Sequence, residues 1–177
     1  LESALSSFAA VPVRTVCAGR TDAGVHALNQ VVHADVAVQR DLNSWVRGTN
    51  RFLPTDIAVQ WCKPAPSGFH ARFSARGRRY VYVLLESAVR PALEVGAVGW
   101  TFRALDGDAI RNAAGRLIGE KDFSAFRSAQ CQALSPVKTL RSIAVIRRGA
   151  CWRFEFDANA FLHHMVRNLM GRLGAAG

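Results

Sequence analysis

The sequence predicts an α+β fold of two similar halves with mainly antiparallel sheets. Three observations carry that reading. Residues 140–147 and 152–157 alternate apolar and polar, and with Arg148 and Gly149 between them they describe a hairpin with Trp152, Phe154 and Phe156 on one face. A strand at 80–85, a helix at 106–118, that hairpin and a helix at 159–173 follow in the order β-α-β-β-α. Before residue 63 the order is helix tail, strand, strand, helix, strand, which is the same unit short of its first strand and most of its first helix. Two ferredoxin-like βαββαβ halves, clipped at both outer ends, account for the whole order.

The elements follow from local chemistry. Leu5 and Phe8 share a face of a helix ending near Ala9. Residues 11–17 read as a strand, and 31–38 as a half-buried strand with Val32, Ala34, Val36 and Val38 on one side. Asp41 is an N-cap for a helix carrying Leu42, Val46 and Phe52, and Pro54 stops it. Residues 57–62 read as a strand. The stretch 63–68, with two prolines and a glycine, is the best linker. It divides an N-terminal half, 1–68, from a C-terminal half, 69–177. In the second half Ile110, Ala114 and Leu117 form a helical stripe closed by Gly119, and 121–127 reads as an irregular loop. Leu162, Val166, Leu169 and Leu173 give the last helix its apolar stripe.

Composition limits the function. A chain of 177 residues, half of them hydrophobic, has enough material for real cores. No apolar run reaches the length of a membrane span, and the first residues lack a signal-peptide pattern, so a cytoplasmic protein with no membrane partner is the expectation. Cys17, Cys62, Cys131 and Cys151 are far apart, which suggests reduced, mostly buried thiols rather than a zinc knuckle or a disulfide framework. The formal net charge is +10, and lysine occurs only at Lys63, Lys121 and Lys138. Arginine forks phosphate and stacks on bases, so this balance suggests a nucleic-acid partner. A GC-rich genome produces the same bias without any such partner.

The chemistry centres on Gly19-Arg20-Thr21-Asp22-Ala23-Gly24-Val25-His26-Ala27, a glycine-bounded loop with one cation beside one carboxylate. Gly19 and Gly24 have phosphate-loop spacing, but Val25-His26 stands where Lys-Ser/Thr is required. A turn in which Asp22 or Thr21 caps backbone N–H groups and Arg20 is solvated accounts for the loop as well as an active carboxylate does. Downstream, Phe69-His70-Ala71-Arg72-Phe73-Ser74-Ala75-Arg76-Gly77-Arg78-Arg79-Tyr80 interleaves four arginines with aromatics. It suits either a phosphate track with stacking platforms or a solvated basic hairpin. On the last helix, helical spacing sets His163 and Arg167 on one face, and adjacent His163 and His164 diverge too far to share a metal.

Taken together these strings resemble the tRNA pseudouridine synthase A family. The loop G-R-T-D-A-G-V-H-A matches its signature, F-H-A-R-F-S-A with R-Y-x-Y its second motif, and Asn159-Ala160-Phe161-Leu162-His163-His164-Met165-Val166-Arg167-Asn168 its third. Asp122-Phe123-Ser124-Ala125-Phe126-Arg127, followed by Cys131-Gln132, resembles a further segment. The resemblance implies a cofactor-free, metal-free isomerase that turns uridine into pseudouridine at tRNA positions 38, 39 and 40, working as a homodimer. It implies a cleft between the halves with Asp22 as catalytic carboxylate, Tyr80 stacked on the uracil and Arg167 holding Asp22 charged. Arg20, His26, Arg72, Arg76, Arg78, Arg79 and Arg127 are the substrate-binding candidates. It also implies a missing terminal strand at each end, so a fragment without activity is one alternative. A non-catalytic RNA-binding domain is another, although it gives no reason for a carboxylate in the central loop. A carboxylate-dependent hydrolase usually wants a second acid at catalytic distance, and no other Asp or Glu lies in the three motif blocks.

Overall fold

The computed structural model describes residues 1–177, which divide into two compact units, Leu1–Ala75 and Arg76–Gly177. The architecture is α+β, and every strand pairing but one is antiparallel.

In the first unit, helix α1 (Glu2–Ala9) is followed by two short paired strands, β1 (Val16–Cys17) and β2 (Val32–His33), and by helix α2 (Leu42–Phe52). Asp41 caps α2 as its sequence suggests, accepting from the Ser44 N–H. Ala9, Val13 and Trp45 form a small core, and the Phe8 ring meets Trp45 edge-on at 5.2 Å. Two side chains of α1 organise the chain after it. Ser6 Oγ accepts from the Val13 N–H, and Glu2 accepts from both the N–H and the hydroxyl of Thr15. These bonds consume donors that a longer strand would use, and β1 is two residues rather than the seven expected over 11–17. The strand expected over 31–38 is likewise reduced to Val32–His33, its partner being only as long as β1. The strand expected over 57–62 does not form. Asn50 of α2 instead takes both polar groups of Val59, donating to its carbonyl at 2.9 Å and accepting from its N–H at 2.7 Å. A side-chain amide has replaced a neighbouring strand.

The second unit is a five-stranded sheet covered on one face by two helices. Its elements are β3 (Arg78–Glu86), β4 (Gly99–Thr101), α3 (Gly107–Leu117), β5 (Gly119–Asp122), a 3-10 turn (Ser124–Phe126), β6 (Val137–Arg148), β7 (Cys151–Ala158) and α4 (Met165–Ala176). The sheet order is β4-β3-β7-β6-β5. The inner order β3-β7-β6, with α3 after β3 and α4 after β7, is the βαββα arrangement expected from the sequence. The small edge strands β4 and β5 were not foreseen. β4 runs parallel to β3 over three residues, and β5 occupies part of the stretch read as an irregular loop.

The β6–β7 hairpin forms as its alternation demands. Trp152, Phe154, Phe156 and Ala158 are fully buried, and cross-strand neighbours Leu84, Tyr82 and Tyr80 lie on the same face. Ile110, Ala114, Leu169 and Leu173 bring the apolar faces of α3 and α4 onto that layer. Asp106 caps α3 through the N–H groups of Asp108 and Ala109, and Gly119, just past its end, has φ +107°. The helix expected from Asn159 begins only at Met165. His164 before it is left-handed, with φ 63°, and breaks the helical course.

Candidate functional site

The carboxylate loop belongs to the first unit. It opens and closes on the β1–β2 pair, with the Ala18 N–H donating to the Val31 carbonyl at 2.8 Å. At its tip the Val25 N–H donates to the Asp22 carbonyl at 3.0 Å, so residues 22–25 form a β-turn. Gly24 holds φ +78° at the third position, where a type II turn requires a residue free of a Cβ. Gly19 needs no such freedom; its carbonyl instead accepts from Gln30 Nε2 at 2.6 Å, tying the rising limb to the falling one. Asp22 is half-buried, whereas Arg20 and His26 are exposed. The carboxylate is thus carried on a hydrogen-bonded tip rather than a loose loop.

The segment following the proline linker also builds onto the first unit. The Ala71 N–H donates to His33 Nδ1 at 3.1 Å, and His33 contacts the rings of Phe69 and His70. His70 stacks on Phe73 at 4.2 Å, with Phe73 four-fifths exposed. Arg72 is exposed beside this aromatic cluster. The chain here offers an open π-face next to a guanidinium, the combination that single-stranded nucleic acid uses for stacking.

The other candidates lie in the second unit, and strand geometry separates them. Alternation along β3 puts Arg78 on the face of Tyr80 and Arg79 on the opposite face. There Arg79 Nε lies 3.6 Å from Asp157 Oδ2, an acid also paired to Arg141 at 2.8 Å. Arg78 reaches the Asn159 carbonyl at 3.4 Å, and Arg76 is exposed. Tyr80 is half-buried against Phe161, edge-on at 5.0 Å, which fixes the plane of its ring. Arg127 sends Nη2 to two backbone carbonyls, Cys131 at 2.7 Å and Ala133 at 2.9 Å.

Arg167 stands in the first turn of α4 and is exposed. The helical pairing of His163 with Arg167 expected from the sequence does not exist, because His163 precedes the helix. The same correction removes the geometric ground for keeping the two histidines apart: their rings stack at 3.8 Å. Both polar groups of the His163 backbone are held by the loop at 123–133. Its N–H donates to Cys131 Sγ at 3.3 Å and its carbonyl accepts from the Ser128 N–H at 3.1 Å. Burial opposes ionisation of Cys131. The N–H groups of His163 and Ala133 and the Arg127 guanidinium outweigh it and hold the thiol below its usual range. Cys131 is therefore a polar acceptor as well as a small buried side chain, and Asn168, whose amide donates to the Phe126 carbonyl at 3.0 Å, joins the same junction. Sequence reasoning attached no role to either. The clue lay in their place beside motif residues, Cys131 four after Arg127 and Asn168 next to Arg167. Cys17 and Cys62 are half-buried, and Cys151, at the start of β7, is exposed.

A family model described as tRNA pseudouridine synthase matches residues 1–74 and 113–177. The matched stretches include the Asp22 loop and the segment carrying Arg167, and leave Tyr80 outside. The chain is 71% identical over its full length to tRNA pseudouridine synthase A of Methylibium petroleiphilum, covering 68% of that protein. It is 64% identical to the protein of the same name from Polaromonas naphthalenivorans and 60% identical to that from Albidiferax ferrireducens, covering 69% and 68% of them. The chain belongs to the tRNA pseudouridine synthase family.

Proposed function

We propose that this chain isomerises uridine to pseudouridine in the anticodon stem-loop of tRNA, at positions 38, 39 and 40, with Asp22 as the essential carboxylate. The observation that carries the proposal is the similarity, over the whole of this chain, to proteins named tRNA pseudouridine synthase A, together with a loop that supports one carboxylate on a hydrogen-bonded turn. The reaction breaks the N1–C1′ bond, rotates the uracil and joins C5 to C1′. A proton leaves C5 and N1 ends protonated, so no redox equivalent or water is consumed.

In this reading Asp22 supplies the negative charge that the sugar–base bond cleavage needs, and Arg167 supplies a positive charge to the same reaction. Tyr80, its ring plane set by Phe161, stacks on the extruded uracil and assists loss of the C5 proton. Arg20 fills the space the nucleotide leaves and His26 contacts substrate, whereas Arg127 is engaged by the carbonyls of Cys131 and Ala133. Arg72, Arg76 and Arg78 carry the backbone on either side, and Arg79 contributes less because it is drawn toward Asp157 on the opposite face of β3. The protein acts as a cytoplasmic homodimer.

The decisive experiment follows tritium release from C5-labelled uridine in tRNA. Asp22→Asn is nearly isosteric; it should abolish release while leaving tRNA affinity within about three-fold, since the carboxylate contributes nothing favourable to phosphate binding. Turnover by Asp22→Asn at an appreciable fraction of the parent rate would remove the proposal.

A further inference from the structure

We propose that Cys131, Arg127 and Asn168 are positioning residues that set the His163–Arg167 turn, and through it Arg167, for the isomerisation. The proposal rests on the reading that Arg167 serves that reaction. Helix α4 lacks the usual device for fixing a helix start, because His164 at its N-cap makes no side-chain capping bond. His164 also holds a left-handed backbone at φ 63°, which a residue with a Cβ keeps only when its surroundings over-determine it.

The loop at 123–133 supplies that determination from three directions. Cys131 Sγ takes the His163 N–H, and the Ser128 N–H takes the His163 carbonyl, so the peptide groups on both sides of His163 are held. Asn168 fastens the first turn of the helix to Phe126. Arg127 acts one step further back, where its bridge to the carbonyls of Cys131 and Ala133 folds the loop around the sulfur. Arg167 lies between the left-handed residue and Asn168 in sequence, so a change at either anchor re-aims the first turn that carries it. Angular errors of this kind are expensive in catalysis, because a misplacement of about 1 Å can lower a rate on the order of 100-fold.

The test uses the intact chain and an anticodon stem-loop, measuring kcat, stem-loop affinity and melting temperature together. Cys131→Ala removes the acceptor and Cys131→Ser restores a small one. Asn168→Ala removes a donor from an exposed side chain, where folding has little at stake. The expected result is a kcat lowered about 10- to 100-fold in both alanine variants, with affinity unchanged, melting nearly unchanged, and most of the rate recovered by Cys131→Ser. Unchanged kcat in both alanine variants, while Arg167→Gln abolishes turnover, overturns the positioning role and leaves the role of Arg167 standing. A loss of kcat that merely tracks lost melting temperature, with no recovery by Cys131→Ser, overturns it too. If Arg167→Gln itself retains full kcat, the reading beneath the proposal falls, and the two failures are told apart by that variant.

Discussion

Replacing Gly48 by alanine sets two known effects against each other, and the structure decides the sign. Gly48 lies inside α2, where alanine is favoured over glycine by about 1 kcal/mol through backbone entropy. The new Cβ, however, would overlap the ring of Phe8, falling 2.7 Å from Cζ and closer still to Cε2 and Cδ2. That ring has little freedom to retreat. It stands edge-on to Trp45 at 5.2 Å and carries the Arg40 guanidinium 4.8 Å from its centroid. Overpacking costs about 1–3 kcal/mol, and displacing the ring forfeits about 0.5–1.5 kcal/mol from the aromatic pair. The losses exceed the gain, and Gly48→Ala should destabilise the first unit by about 1–3 kcal/mol. Urea unfolding followed at resonances of the first unit reads this directly, and Phe8→Leu in the same chain should relieve much of the loss. A Gly48→Ala protein as stable as the parent, or more so, would refute the close packing of α1 on α2.

Three further outcomes follow from the geometry. Glu86 accepts from Trp152 Nε1 at 2.8 Å, Arg147 at 3.1 Å and the Leu105 N–H at 3.3 Å, so Glu86→Ala strands a buried indole donor and should cost about 2–4 kcal/mol. Thermal melts check this, and Glu86→Gln, which retains an acceptor, should cost less. Glu2 is held below its usual range, chiefly by the Thr15 N–H. Its contribution is therefore present above the unfolded carboxylate value, about 4.3, and is lost as pH falls through the lower folded value. Melts between pH 2 and 6 should show a steeper acid loss in the parent than in Glu2→Ala. For RNA, Arg72→Gln and Arg76→Gln should each flatten the slope of log K against log salt by about 0.7–0.9, with Arg79→Gln changing it less. Slopes unaltered by any of these would move the RNA track away from the basic strip.

The candidate site was legible where residues offer their own side chains. The Asp22 loop, the arginine-aromatic strip and the His-His-Met-Val-Arg string are contiguous, and their residue types announce charge and stacking. The junction around His163 was not legible, because its side chains, Cys131 and Asn168, meet backbone groups of His163 and Phe126, which carry no residue identity.

Local pattern alone determined the β6–β7 hairpin, the helices α2 and α3 and their aspartate caps. There each residue's preference depends on neighbours within one turn or one strand. Tertiary structure decided the rest. The strand at 11–17 shrank because α1 side chains claimed its donors, the strand at 31–38 shrank with its partner β1, and none formed at 57–62 because Asn50 satisfied Val59 instead. The last helix began at Met165 rather than Asn159 because the loop at 123–133 holds His163 out of helical register. Backbone hydrogen-bonding groups must be satisfied, but side chains distant in sequence can satisfy them as well as a neighbouring strand or turn does.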